Sequence, residues 1–523
     1  MRRVGIFGWG VVAPKSPNIE EFAKNLAGSE SWLSAFDGFG PDRFLVGNPS
    51  FDFNDYKPWI DARFAPSRYR QLIEKADTNS LYAIGAFIQA LGQNPGLEGA
   101  LSSLGEQAHV YVGTGLGSLN TAYDVSVNLY RAQRRWNRFW SEPSRNPALA
   151  SYLTERRLPA GADVPEEPEA IQDPERREMA EDAWFAFWAA RSSALSEYLD
   201  DLGEIESMTV EGEVKAGKLA LLREKSRRLA RLNEKWSAPE PPWTRVSPNL
   251  LWNISNAPAA QITMLGHISG LSFAPVAACS TFGVALKLAM DSIDRGQAKL
   301  VVVGATDGAP NPLSVAAFYN ARVHAADGQV SKPLSGLRGT HVSGGACVWI
   351  VGDLEYAQEH GFRPLGLEPV AVGTTSDAEH IITPSEEGPR AAIRQALTQA
   401  GCGPEELVSW DLHATATPGD HQEVENLRHV LGNEVIVTAR KGTFGHGMAA
   451  AGGWELTAQY LGCASGALFP TPLSESELNP EIRKLHERFA FREPLVIPRG
   501  PVGKLSMGVG GINACVISRP WDT

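Results

Sequence analysis

Three residues of this chain could do chemistry together. Cys279 sits in VAACSTFGVALKLA (276–289), among small residues and directly ahead of an apolar run that reads as a helix. The amides and dipole at a helix start favour the thiolate, the reactive form of cysteine. His413, in SWDLHATATPGDHQE, follows a short apolar run and precedes hydroxyl residues and a Pro-Gly turn. That places it at the end of a strand, where loops build sites. His446, in ARKGTFGHGMAAAGG, lies in a glycine-rich turn between a strand ending near Ala439 and a helix beginning near Met448. Each alone is more often structural, a small buried thiol or a satisfied loop imidazole. Together they make a candidate Cys-His-His site: a thiolate that takes an acyl group as a thioester, and two imidazoles that polarise a second thioester carbonyl. In KLSMGVGGINAC (504–515), three glycines in four positions let backbone amides approach a ligand closely, as an oxyanion site needs.

The elements around these residues read as α/β. Short β-branched runs such as VYVGTGLGS (110–118), KLVVVGATDG (299–308), ACVWIVGD (346–353) and EVIVTAR (434–440) alternate with amphipathic helices, the rhythm of buried sheets. From about Ser126 to Trp243 the rhythm stops. A proline-rich acidic linker (161–175) lies between helical patterns. In 178–202, Trp184, Trp188, Leu195, Leu199 and Leu202 share one face, and in 207–236 Leu222, Leu229 and Trp236 recur every seven residues with Leu232 beside them. The second pattern is rich in Lys and Arg, either an ordinary solvated face or a docking face for an acidic partner. A helical hairpin beside the site entrance or on a dimer edge is expected.

Composition excludes several classes. With 523 residues, 43% of them hydrophobic, the chain can bury one large core or several ordinary ones. No stretch approaches the roughly 18 apolar residues of a membrane span, and the opening lacks the apolar core of a secretory signal. A net charge of −12 argues against nucleic acid. Five widely spaced cysteines without a C-x-x-C pair fit free thiols in a reducing cytoplasm, and no motif supports a metal. GTGLGS (113–118) lacks the later glycine of a dinucleotide fingerprint, and no Walker loop, G-x-S-x-G elbow or H-E-x-x-H is present.

The ordered set ACSTFG, HATATPGD, KGTFGH and SMGVGGIN, with VGIFGWGVVAP, VGTGLGS and SRYRQLIEKAD before it, resembles the β-ketoacyl-acyl carrier protein synthases of the type II kind. The resemblance covers nearly everything outside 126–245. It implies the thiolase fold: two similar βαβ-based halves in five layers (αβαβα), residues 1–354 and 355–523, with 126–245 as a helical insertion in the first half. It implies that Cys279 accepts the acyl group, that His413 and His446 promote malonyl decarboxylation and stabilise the enolate, and that Lys441 supports them electrostatically. The amides of Cys279 and Val509 would form the oxyanion hole, Thr415 and Thr417 would contact a phosphopantetheine arm, and Met507, Val509, Gly510 and Gly511 would border the substrate. Arg70 and Lys75 fall where the family keeps basic residues for its acyl carrier protein. No bound cofactor is implied, since substrates arrive on the carrier's phosphopantetheine. The expected assembly is a homodimer, or a heterodimer with a related subunit, in the cytoplasm.

The chain also departs from the family. Val509, with Met507 before it, replaces a gating phenylalanine; Ser335 in PLSGLRGTHVSGGAC stands for an aspartate, with Pro333 and Arg338 kept; and Ala414 replaces a glycine in a histidine motif one residue short before Asp420. These point to a specialised synthase in fatty acid, polyketide or related biosynthesis. Two alternatives stay open: an acyltransferase of the same fold that forms no carbon-carbon bond, and a non-catalytic partner of another synthase.

Overall fold

The computed structural model describes residues 2–40, 43–156, 163–210, 214–381 and 384–521, without the side chains of 214–216. Two compact units emerge, one of residues 1–121 and 251–523 and one of residues 122–250.

The larger unit is built on two five-stranded sheets. The first contains β1 (Val4–Val12), β2 (Ala108–Thr114), β3 (Ser272–Phe273), β4 (Leu300–Asp307) and β5 (Gly345–Asp353), in the order β1-β5-β4-β2-β3. The second contains β6 (Glu368–Ser376), β7 (Ser409–Asp411), β8 (Ile436–Thr438), β9 (Val502–Gly508) and β10 (Ile512–Arg519), in the order β6-β10-β9-β7-β8. Numbered within its own half, each sheet reads 1-5-4-2-3. The senses match too: β1 and β6 pair antiparallel with β5 and β10, these pair antiparallel with β4 and β9, and the remaining pairings are parallel.

The strands carry near-continuous apolar runs because both faces of each sheet are covered. In the first sheet Trp9, Val303 and Trp349 face a central core, while Phe7, Val302 and Ile350 face an outer one packed with Ala83, Phe87 and Ile262. In the second sheet Val372, Val502 and Val516 face the same central core, and Leu505, Cys515 and Ile517 face an outer layer with Ile393 and Leu427. Helices Thr281–Asp294 and Ala451–Ala464 supply the middle of this sandwich. The second is buried at every position from Ala451 to Tyr460, and Phe282 stacks edge-on to Trp349 at 4.9 Å. Five layers, helix-sheet-helix-sheet-helix, result.

The smaller unit is helical but is not a hairpin. Beyond the end of Leu119–Trp140 it holds Pro147–Glu155, Pro174–Ala189, Ser193–Glu206 and Val214–Trp236. The expected helix over 178–202 breaks at 190–192, where Ser192 caps a new helix by accepting from the Leu195 amide at 3.2 Å. In that second helix Leu195, Tyr198, Leu202 and Ile205 are buried, while Leu199, at the edge of their face, is exposed. Trp136, Trp140, Tyr198, Leu202 and Leu232 form the core instead, while Leu222 is half exposed. Much of the basic face is paired within the unit, Lys225 with Glu206, Arg227 and Arg228 with Glu224, and Lys235 with Asp201. The linker read at 161–175 lies partly outside the described residues; from Pro168 a short turn leads into the helix at Pro174.

All five cysteines are free thiols, and among the described residues no helix is long and apolar enough to cross a membrane.

Candidate active site

Each member of the Cys-His-His set leaves a central element at its end. Cys279 sits in a single helical turn, Ala278–Ser280, that runs into helix Thr281–Asp294. Ala278 adopts the left-handed conformation (φ 49°), strained for a residue with a side chain. Thr281 holds that turn, accepting from the Ala277 amide at 3.0 Å and donating to the Ala278 carbonyl at 2.7 Å. His413 follows β7 by two residues. Its amide donates to Glu423 Oε1 at 2.6 Å and that of Ala414 to Oε2 at 2.7 Å. His446 follows Gly445, a residue with φ 73°, and its amide donates to the His341 carbonyl at 2.7 Å.

These placements converge. Cys279 Sγ lies 3.0 Å from His446 Nε2, and the imidazoles of His413 and His446 meet edge to face with centroids 5.3 Å apart. Lys441 Nζ is 3.4 Å from His413 Nδ1 and also bonds the His413 carbonyl and Glu455 Oε1, the last at 2.7 Å. An ammonium donating to Nδ1 leaves the His413 hydrogen on Nε2, a donor for the cleft. The backbone N–H of Val509 bonds the Cys279 sulfur. Apart from the Cys-His-His set, no three Cys, His, Asp or Glu side chains among the described residues gather closely enough for a metal ion.

Burial decides the electrostatics. It pushes the Cys279 thiol up to about 11, with Lys441 and the Val509 amide pulling down and Asp307 pushing further up. The thiolate expected from the helix start is therefore not the resting form, because loss of water outweighs the helix dipole. Burial, and then Lys441, depress both imidazoles well below the ordinary histidine range. The resting set is a neutral thiol beside two neutral imidazoles.

A cleft of about 140 Å³ opens onto the trio. Thr415, Thr417, Met507, Val509 and Gly511 line it, as do Phe318 and Asp377. The hydroxyls of Thr415 and Thr417 are 3.0 Å apart, on a loop held by Asp420, which accepts from the amides of Thr415, Ala416 and Leu334 at 2.8, 3.1 and 2.8 Å. Gly510 does not line the cleft. With φ 96° it turns the chain between β9 and β10 and donates its N–H to the Ile381 carbonyl at 2.6 Å. Gly508 permits the close approach of β9 to the nucleophile turn, since a Cβ there would meet the Ala277 carbonyl oxygen at 2.6 Å. Arg70 is exposed on helix Ser67–Lys75, and Lys75, at its end, lies 4.4 Å over the Trp252 ring. Arg338 pairs with Asp327, and the amide of Leu334, beside Ser335, is taken by Asp420.

Several residues escaped sequence reasoning. Glu455 and Lys504 are buried and 2.7 Å apart, and Asp307 accepts from the amides of Leu116 and Ala449 at 2.7 and 2.9 Å while its carboxyl is pushed up to about 6 by burial. Burial works against the charge on Lys504, but the carboxylates of Glu455 and Asp411 outweigh it and hold its pKa above the ordinary lysine value. The signal for Glu455 was present, a lone carboxylate in the apolar run AAAGGWELTAQYLG. Lys504 and Asp307 give none, because single charges at strand ends are commonplace.

Residues 223–357 match the family model for the β-ketoacyl synthase N-terminal domain, and residues 368–473 match that for the C-terminal domain. Both domains of the β-ketoacyl synthase family are thus matched in this chain, in their order. The chain is 28% identical over 291 residues to a 3-oxoacyl-[acyl-carrier-protein] synthase homolog of Saccharomyces cerevisiae, covering 53% of this chain and 65% of the relative. It is 27% identical over 292 residues to the chloroplastic 3-oxoacyl-[acyl-carrier-protein] synthase I of Hordeum vulgare, covering 53% and 62%. The match thus spans under two thirds of the length of these curated relatives. The solved structure of the ishigamide ketosynthase/chain length factor is similar over 100% of both chains, with a TM-score of 0.68 and 19% identity. So is a type II polyketide synthase acyl-carrier protein in complex with its ketosynthase (AntDE:AntF), with a TM-score of 0.63 and 16% identity. The five layers are those of the thiolase fold.

Proposed function

We propose that the protein is a decarboxylating condensing enzyme, joining an acyl group held on Cys279 to a two-carbon unit from a malonyl-thioester. The observation that carries this reading is the 3.0 Å approach of Cys279 Sγ to His446 Nε2 at the foot of a cleft that His413 also lines. Because the thiol rests protonated, attack on the acyl-thioester is coupled to proton transfer from Sγ to Nε2, and the carrier thiol leaves with a proton. The amides of Cys279 and Val509 receive the oxyanion. In the second half-reaction the malonyl-thioester loses CO2, and the enolate oxygen takes hydrogen bonds from His413 and from His446, whose neutral ring has moved its hydrogen from Nδ1 to Nε2 once the thiol is acylated, with Lys441 beside them. The enolate carbon then attacks the acyl-Cys279 carbonyl and the sulfur leaves, giving a β-ketoacyl-thioester.

Thr415 and Thr417 hold the phosphopantetheine arm in this reading. Arg70 and Lys75 receive an acidic acyl carrier protein. Residues 1–354 and 355–523 act as the two halves of the fold, with 126–245 inserted in the first, and the enzyme works in the cytoplasm as a homodimer or with a related subunit. The relatives named as 3-oxoacyl-[acyl-carrier-protein] synthases and the carrier-protein complex among the solved structures support these assignments. Val509 and Met507, small and flexible where the family places a bulky gate, suit a specialised acyl group.

Intact-protein mass spectrometry tests the reading. Wild type and Cys279→Ala are incubated with a panel of acyl-carrier thioesters and then with malonyl-carrier protein. The expected result is acyl mass on wild type only, discharged as a β-ketoacyl product with CO2 release. Transfer of the acyl group without CO2 release would replace condensation with simple acyl transfer, and no adduct from any donor would leave a non-catalytic partner.

A further inference from the structure

The charged groups beneath the two imidazoles form a buried chain. Arg440 Nε stands 3.1 Å from Asp411 Oδ2, Asp411 Oδ1 is 3.6 Å from Lys504 Nζ, Lys504 Nζ is 2.7 Å from Glu455 Oε2, and Glu455 Oε1 is 2.7 Å from Lys441 Nζ. All five side chains are at most 1% exposed. Lys504 also donates to the carbonyls of Leu412, at 3.2 Å, and Leu505, at 2.7 Å, so it holds the residue just ahead of His413. A buried ion cluster is weak evidence for stability, since apolar side chains of the same volume often replace one without loss. Its position gives it another use: Glu455 offers one oxygen to Lys441 and the other to Lys504.

We propose that Lys504 is a second positioning lysine for the chemistry at His413 and His446. Resting on the condensing reading above, it acts in two ways. Through Glu455 it fixes the point from which Lys441 reaches His413, because a carboxylate released by Lys504 would turn both oxygens to Lys441 and draw it away. Its charge also keeps both imidazoles neutral, so that each gives a hydrogen bond to the enolate oxygen without handing a proton to the enolate carbon.

The groups facing these imidazoles set the balance. Lys441, Lys504 and the partner imidazole surround His413, whose amide is taken by Glu423; Cys279, Lys441, Lys504 and His413 surround His446. Glu455 and Asp307 act on the thiol, and Asp420 holds the loop beyond His413. Burial comes first in depressing both imidazoles, and the cations add to it with Lys504 among them on each. Asp411, by contrast, binds Thr438, Arg440 and Lys504.

The test is the pH profile of CO2 release from malonyl-carrier protein, carried down from pH 9 until the rate falls, for wild type, Lys504→Met and Lys504→Arg. Removing the cation makes the imidazoles easier to protonate, so the acid limb of Lys504→Met moves up by roughly one pH unit or more. On the falling acid limb Lys504→Met stands about tenfold further below its own plateau than wild type does at the same pH. Lys504→Arg, which keeps the charge, restores the wild-type limb. Should Lys504→Met fail to melt cooperatively, Lys504→Gln, which keeps amide donors for the two carbonyls, carries the same expectation. A rate lowered equally at every pH, or Lys504→Arg as displaced as Lys504→Met, overturns the proposal. Wild type that releases no CO2 at any pH overturns the condensing reading itself, a result no Lys504 variant can imitate.

Discussion

Replacing Gly508 by alanine tests whether the spacing between β9 and the nucleophile turn sets the activity. An added Cβ would meet the Ala277 carbonyl oxygen at 2.6 Å and the Cys279 amide nitrogen at 3.3 Å. A carbon tolerates an oxygen no closer than about 3.3 Å, so the turn or the strand must yield by about 0.7 Å. Neither yields easily. Ala278 is already in a left-handed conformation clamped by Thr281, and Gly508 is paired with Ile512 of β10. Overpacking of this kind costs about 1–3 kcal/mol of stability. The catalytic cost is larger in proportion, because a 1 Å misplacement is worth about a hundredfold, and the displaced element carries both Cys279 and the amide that binds its oxyanion. Gly508→Ala is therefore expected to fold, melt a few degrees lower, and acylate Cys279 about ten- to a hundredfold more slowly than wild type. The assay is the initial rate of adduct formation with a short acyl-thioester, read by intact-protein mass spectrometry, alongside a thermal melt. Acylation within twofold of wild type, with the melt unchanged, would refute the argument that this contact positions the nucleophile.

The protonation state of Cys279 is open to a similar test. With its thiol pushed up to about 11 by burial, its alkylation by iodoacetamide should climb about tenfold per pH unit from 7 to 10 without a plateau, and Asp307→Asn, which removes an anion that opposes the thiolate, should raise the rate at pH 8. A plateau already reached at pH 7 would mean a resting thiolate. Asp420→Asn removes acceptor capacity from a carboxylate that takes the Thr415, Ala416 and Leu334 amides, at about 1–3 kcal/mol for each amide left unpaired. The expected outcome is a raised KM for carrier-bound substrate with alkylation of Cys279 unchanged, and an unchanged KM would separate the Thr415–Thr417 loop from substrate binding.

The order of these effects explains how the site works as a unit. A buried thiol and two buried imidazoles would lose their charged forms to desolvation. The proposed reaction uses that loss: neutral groups would exchange one proton over 3.0 Å, and the permanent charge sits one layer deeper, on Lys441, Glu455 and Lys504. Catalytic groups are thereby kept ready near neutral pH without a standing charge in the acyl cleft.

How far the sequence alone reached follows from the range over which each property is decided. Cys279, His413 and His446 were legible because each stands in a short stretch whose turn residues and flanking apolar runs fix the local element, whereas Lys441 came from the family resemblance. Thr415, Thr417, Met507 and Val509 also came from the resemblance, and all four line the cleft. The end of the helix at 190 was missed because a run of apolar residues at helical spacing looks the same whether one helix or two carry it, and Ser192 becomes a cap only when Leu195 is at hand. Leu222 and Leu199 had the right period and the wrong surroundings, since periodicity says which residues share a face and not whether anything covers it.

The tertiary structure decided the rest. The shared 1-5-4-2-3 order of the two sheets leaves no repeat in the residues, because a backbone path is preserved by burial on both faces and any close-packing apolar residues satisfy it. It also reversed the expected state of Cys279, which a helix start would ionise and a dry core protonates. The shared carboxylate of Glu455, between lysines 63 residues apart in the chain, belongs to this second class. Residue types and local turns travel with the sequence, whereas desolvation and charge pairing exist only once distant segments have excluded water between them.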